Sequence, residues 1–447
     1  METGRVVKPD VPQSRGHRRG ARESKLKGEP NKALRFLRLL GPGFIVGASD
    51  DDPSGIATYA AAGAAFGFAT LWTTLVTIPM MTTVQFICAK IGQVSGRGLA
   101  GVIRKHYPRW VLYPVVFGLL IANTINAGAD IGAIAAGVNI FVPIKAVALI
   151  VPVGATLLVL QILLSYRTIA NTFKWLALAL FAYIGSSLLS HPHAVDMLRG
   201  TFVPAFRWNS DYLAILVALL GTTISPYMFF WQSSQEVEED IEAGRRWIWQ
   251  RKGTTKAELR YTAWDVGIGM FFSNVVAYFI IAATAATLFQ AGHHDVLSAA
   301  DAARALEPLA GKAAGLLFAL GIIGAGVLAV PILTGSASYA IAESFGWKWG
   351  LDEKPQNAIR FYGIIALSTV AGLEINFLGI NPFKALVWTA VINGLLAPPL
   401  LALIMLIGNN KKVMGTLTNG PLTNVVGWIT TAAMSAAAVG LIATWSH

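Results

Sequence analysis

Two apolar stretches of this 447-residue chain break around a proline, at Asp50-Asp51-Asp52-Pro53-Ser54-Gly55 and at Thr222-Thr223-Ile224-Ser225-Pro226-Tyr227. Each proline removes a backbone donor and frees carbonyls that a continuous helix would use. Within a bilayer such groups are tolerated only where protein or a watery cavity surrounds them, and there they can coordinate a cation. An aspartate at mid-membrane costs at least about 3 kcal/mol, which makes it a functional candidate by default. Helical geometry would spread Asp50, Asp51 and Asp52 over roughly 200°, so at most two of them share one cavity. Asp52, directly before Pro53, is the expected cation ligand. Asp51, Thr223, the Ser225 hydroxyl, Tyr227 and the carbonyls near Asp50 to Pro53 and Thr222 to Ser225 are the expected further oxygen donors, with Gly55 part of the same site. Either break alone reads as an ordinary proline kink; two of them in corresponding halves point to a binding site between the halves.

The expected membrane spans contain no histidine: His191, His193, His293 and His294 fall in external loops and His106 in an internal one. The single cysteine, Cys88, lies inside a span and reads as packing, so no disulfide or cysteine-based metal site is available. Oxygen donors without imidazole or thiolate suit hard ions, Mg²⁺ and less exclusively Mn²⁺. Met228, two residues past Pro226, is the main sulfur candidate, with apolar packing as its alternative. No nucleotide loop, metalloprotease signature or catalytic triad is evident. An enzyme is not expected, and no cofactor is called for beyond a cation as cargo.

Mean hydropathy is +0.56, 54% of residues are hydrophobic and only 13% charged, the composition of a polytopic membrane protein. Eleven apolar stretches are long enough to cross a hydrocarbon core of about 30 Å: 38 to 66, 69 to 92, 110 to 140, 144 to 165, 170 to 190, 212 to 234, 262 to 290, 304 to 342, 357 to 374, 381 to 408 and 420 to 445. Short connections imply one transmembrane domain, 33 to 447, after a polar basic tail, 1 to 32, that is expected to be disordered. Trp72, Trp110, Trp208, Trp264, Trp428 and Trp445 lie near the ends of spans, as interfacial anchors do.

The net charge of +11 is not a nucleic-acid signal. The tail, Arg97, Arg104, Lys105, Arg109, Arg167, Arg245, Arg246, Arg251, Lys252, Lys348, Lys354, Lys411 and Lys412 all fall on one side of the expected topology. The positive-inside rule then places the N-terminus inside and the C-terminus outside a cytoplasmic (inner) membrane. The lipid bilayer and a divalent cation are the expected partners, with no nucleic acid and no obligate protein partner.

Gly41-Pro42-Gly43, Asp52-Pro53, Ala57-Thr58, Ala61-Ala62-Gly63 and Phe66-Gly67 resemble the first helix of the Nramp divalent-metal transporters. The resemblance continues through Gln85, the run from Ala89 to Ala100, Asp265 and Asn274, Gly324-Ala325-Gly326, and Pro331 to Ser336. It implies a LeuT-type architecture: two inverted five-helix repeats, about 36 to 190 and 212 to 408, an eleventh helix at about 420 to 445, and helices 1 and 6 broken.

The departures from that pattern bear on the cargo. Where family members that carry Mn²⁺ and Fe²⁺ have Asp-Pro-Gly-Asn and Met-Pro-His, this chain has Gly55 at the asparagine position and Ser225-Pro226-Tyr227. Losing the thioether and the amide leaves a wider, harder site, suited to an ion that keeps part of its water shell, as Mg²⁺ does. The pattern resembles the Nramp-related magnesium transporters. The family's further helix-6 histidine appears as Gln232, its helix-3 acid falls on Asn126 or Ala127, and Asp130 is the only carboxylate in that helix. Uptake without proton coupling is the expectation. The family's helix-10 glutamine aligns with Ala390, and Asn393 could supply an amide oxygen instead or bond another helix. Glu236, Glu238, Glu239 and Asp240 read as a solvated face paired with Arg245 and Arg246. The expected function is a secondary carrier of Mg²⁺ first and Mn²⁺ next, working by alternating access. An organic-solute carrier on the same fold, or a metal-binding member that has lost transport, are the alternatives.

Overall fold

The computed structural model describes residues 42–165, 168, 178–296 and 298–444. The expected disordered tail, Gly41, Arg167, Trp445 and the start of the fifth expected span lie outside them. Helix α1 comes in two pieces, α1a (Pro42–Asp50) and α1b (Pro53–Phe66). It is followed by α2 (Trp72–Ser95), α3 (Arg109–Phe141), α4 (Ala146–Leu163) and α5 (Ala182–Leu189). The second half opens with another split helix, α6a (Ser210–Thr223) and α6b (Pro226–Glu242). Then come α7 (Lys256–Thr284), α8 (Ala314–Phe345), α9 (Ile359–Ile375), α10 (Pro382–Asn409) and α11 (Pro421–Thr444).

Both breaks fall where the prolines place them. Pro53 and Pro226 occupy first helical positions, where a missing N–H costs nothing, and Asp52 and Ser225 are the residues before them, in extended backbone. Eight helices among the described residues are long and apolar enough to cross a membrane, with α6a and α6b counted together. Helix α1, of 9 and 14 residues in its two pieces, is not among them, and α9 has 17 residues.

The reciprocal contacts expected of an inverted repeat are present. Gly47 on α1a lies against the Gly269 backbone of α7 so closely that any side chain would overlap it. In the other half, Gly92 of α2 lies against the Ser233 carbonyl of α6b. Helix α3 packs along α8, and α6a along α10.

Helix boundaries follow local capping where hydropathy could not locate them. Helix α7 starts six residues before the expected 262, because Thr255 and Glu258 form a reciprocal capping box: the Glu258 carboxylate accepts the Thr255 N–H at 2.9 Å, and the Thr255 hydroxyl accepts the Glu258 N–H at 3.2 Å. Helix α6b runs on to Glu242 and carries the acidic run into the protein interior. Glu236, Glu238 and Asp240 are buried, contrary to the expected solvated face. Each is held: Glu236 by the Gln93 amide at 2.7 Å, Glu238 by the Leu351 N–H at 2.7 Å, and Asp240 by Arg245 at 2.9 Å. Arg246 offers its carbonyl to Arg251.

Candidate substrate site at the paired helix breaks

Asp52 serves two purposes at once. As the cap of α1b its Oδ1 accepts the Gly55 N–H and the Ser54 hydroxyl, both at 2.7 Å, which satisfies donors that a helix start leaves orphaned. Its Oδ2 accepts the Asn126 amide of α3 at 3.1 Å. The carboxylate is only 1% exposed.

The chain is fully unwound at Asp51 and Asp52, so the helical splay expected for the three aspartates does not apply. Asp50 ends α1a and turns with Asp51 toward α7, where the Ser273 hydroxyl reaches Asp50 Oδ2 at 2.5 Å and Asp51 Oδ1 at 3.3 Å. Asp52 instead bonds α3 through Asn126.

On α6, the Ser225 hydroxyl donates to the carbonyls of Gly221 (2.5 Å) and Thr222 (2.8 Å), leaving its oxygen lone pairs free to accept. Thr223 likewise bonds back to Leu219 at 2.9 Å. Gly55 lies where α1b meets α6a: a Cβ there would come within 3.1 Å of the Thr222 hydroxyl and 3.3 Å of both the Asp50 carbonyl and Asp52 Oδ1. A glycine at this point therefore leaves room among three oxygen-bearing groups. Tyr227 is buried, with Asp52, Asp50 and Asp130 as its charged neighbours.

Several oxygens here lack a hydrogen-bond partner of good geometry: Asp50 Oδ1, both Asp130 oxygens, Asn126 Oδ1, and the Tyr59 and Tyr227 hydroxyls. Buried polar atoms are normally satisfied, so this concentration marks a place built for a polar guest. No three acidic, histidine or cysteine side chains among the described residues converge as a ready-made metal cage.

The remaining expected residues separate. Met228 is fully buried in the apolar core with Phe229 and Phe230. Asn393 is buried with an unpartnered Oδ1 and precedes Gly394, which packs against Gly221 of α6a. Asp265 accepts the Gly43 N–H at 2.8 Å, and Asn274 accepts the Thr77 hydroxyl at 2.8 Å, so both fasten α7 to its neighbours.

Sequence reasoning gave no role to Tyr59 or Ser273. Tyr59 had a readable signal: Asp52, Gly55 and Tyr59 follow the i, i+3, i+7 spacing of one helical face. Ser273 had none, since a hydroxyl in an apolar helix ordinarily bonds its own backbone.

Comparison with known proteins places the chain in context. The family described as natural resistance-associated macrophage protein-like (Nramp) matches residues 43–444. A divalent metal cation transporter, MntH, of Klebsiella pneumoniae (strain 342) is 27% identical over 418 residues, covering 91% of this chain and 94% of the relative. Among solved structures, the Eremococcus coleocola manganese transporter, bound to an aromatic bis-isothiourea compound, superposes with a TM-score of 0.71 at 18% identity, covering 93% of this chain and 88% of its own. Mhp1, a nucleobase-cation-symport-1 transporter, gives 0.56 at 14% identity, covering 91% and 90%. At these identities the structural likeness shows the fold.

Proposed function

Because the chain belongs to the Nramp family, we propose that it is a secondary carrier moving a divalent metal cation across the cytoplasmic membrane, Mg²⁺ in preference and Mn²⁺ next, by alternating access and without proton coupling. The observation that carries this reading is the hydrogen bonding of Asp52. Three donors already occupy its carboxylate, which has about four acceptor positions in all. Little is left for bidentate inner-sphere binding, whereas an ion that retains several waters, as Mg²⁺ does, can be held by one oxygen and through its water shell.

The surroundings support a hard, partly hydrated guest. Gly55 leaves space, Ser225, Thr223, Tyr227 and Asn393 offer oxygen, and Asp51 adds charge on the α7 flank. Met228, the nearest thioether to the break in sequence, packs in the core. The absence of a proton partner is supported by Gln232, whose amide donates to Glu236 at 3.1 Å, and by Asn126, which offers Asp52 an amide from the helix on which the family's acid falls at Asn126 or Ala127. Rocking of the half-helices about the two breaks would expose Asp52 to each side in turn, with the potential driving the ion inward.

The test is Mg²⁺ and Mn²⁺ uptake into proteoliposomes, with and without a negative-inside potential, comparing wild type with Asp52→Ala. Potential-driven flux that the substitution abolishes supports the reading. No flux of either ion overturns it in favour of an organic-solute or non-transporting protein, and lumenal acidification during influx overturns the uncoupled mechanism.

A further inference from the structure

Ionised, the four carboxylates at the break in α1 carry more negative charge than one divalent ion balances. Asp50, Asp51, Asp52 and Asp130 are all buried, and none of them enters an ion pair among the described residues. Their acidic neighbours are one another. Buried charges are ordinarily paired or coordinate metal. One divalent cation would leave two of the four unbalanced.

The four carboxylates do not form a single ligand sphere, since no three of them converge on one point. They divide across the break. Asp52 and Asp130 belong to the α3 flank, with the Asn126 amide between α3 and Asp52. Asp50 and Asp51 belong to the α7 flank, joined by the Ser273 hydroxyl at 2.5 and 3.3 Å. That second flank carries its own sign of a ligand. The Tyr59 hydroxyl is wholly buried, lacks a hydrogen-bond partner of good geometry although the Thr222 side chain lies beside it, and has Asp50 and then Asp51 as its foremost charged neighbours. Asp50 Oδ1 is likewise unpartnered.

We propose that Asp50 and Asp51, with the hydroxyls of Ser273 and Tyr59, form a second divalent-cation subsite on the α7 flank, so that a loaded carrier holds two divalent ions on either side of one break. This rests on the metal-carrier reading. Two carboxylates and two hydroxyls match the oxygen chemistry of the first subsite, and two ions balance four carboxylates. Asp50 and Asp51 are then part of the cargo site, and the shared Ser273 hydroxyl sets their separation.

The test is Mn²⁺ binding to the purified full chain in nanodiscs, read by electron paramagnetic resonance, with proteoliposome uptake in parallel. Wild type is expected to bind two Mn²⁺ per chain at saturation, with the line broadening of two close ions. The Asp50→Asn/Asp51→Asn double variant should bind one and lose the broadening, while Asp52→Asn removes the other. Ser273→Ala keeps every charge, and should weaken only the second equivalent, about tenfold, which guards against a double variant that fails to fold. One equivalent in wild type that still supports Asp52-dependent uptake overturns the second subsite and leaves the carrier reading standing, protons then balancing the remaining charge. Two equivalents in the double variant also overturn it. No binding and no uptake overturns both.

Discussion

Replacing Asp52 with asparagine separates the structural task of this residue from its charge. Asparagine caps a helix about as well as aspartate, so its side-chain oxygen can keep the Gly55 N–H and Ser54 hydroxyl bonds now at 2.7 Å. The new amide would meet the Asn126 amide donor, but Asn126 Oδ1 is unpartnered, so that side chain can turn over and accept instead. The net cost to folding is one rearranged hydrogen bond, about 1 kcal/mol. The bound cation, in contrast, loses a buried partner charge, a change worth about 3–5 kcal/mol, or roughly 10²- to 10⁴-fold in affinity. Asp52→Ala should lose the same flux and also destabilise the fold, because it forfeits a helix cap worth about 1 kcal/mol and strands the Asn126 amide at about 1–3 kcal/mol. The assay pairs metal uptake in proteoliposomes with thermal unfolding in detergent. The expected pattern is equal loss of transport in both variants, with a lowered melting temperature only in the alanine variant. Uptake by Asp52→Asn within threefold of wild type would refute the assignment of the charge to the cation.

Ser225→Met should raise the Mn²⁺-to-Mg²⁺ uptake ratio about tenfold by placing a soft thioether at the α6 break; competition uptake measures it, and an unchanged ratio would show that the serine is not beside the ion. Met228→Leu, a volume-conserving change in the core, should cost under about 1.5 kcal/mol and leave ion preference unaltered; altered selectivity would return that sulfur to the site. Gly55→Ala should reduce uptake with little change in melting temperature, since the added methyl sits 3.1–3.3 Å from three oxygens of the site; full activity would mean the ion passes elsewhere. Glu343→Ala should destabilise the protein by about 1–3 kcal/mol by stranding the buried Gly101 N–H it accepts at 2.8 Å, and Glu343→Gln by less; equal melting temperatures for both would contradict this.

Span positions were legible because hydrocarbon imposes a length and an apolar composition that read directly from residue order. The two breaks were legible for a related reason: Pro53 and Pro226 act on their own backbone, whatever the fold around them. What the chain order could not convey was direction. Three consecutive aspartates look alike until the local helix is known to be absent, and only then do Asp50 and Asp51 turn to α7 while Asp52 turns to α3. The acidic run of α6b failed for the same cause. Glu236 and Glu238 read as solvated because their partners, Gln93 and the Leu351 N–H, are more than a hundred residues away in sequence. Asn126 shows the middle case: it was one of two candidate positions on its helix, but that its amide would bond Asp52 could not be read from residue order.

The bonds that complete the first half of the chain come from the second half. Gly43 waits for Asp265, Asp50 for Ser273, Thr77 for Asn274, and the uncapped start of the short helix Leu99–His106 for Glu343. These pairs are 197 to 242 residues apart. At a synthesis rate of about 5–20 residues per second, the earlier partner emerges roughly 10–50 s before the later one. During that interval the early spans carry polar groups that neither lipid nor their own helices can satisfy. The newly made half must therefore be sheltered, by the insertion machinery or by loose association with water near the interface, and a chain truncated before α7 would offer quality control a set of unmet donors and acceptors by which to recognise it.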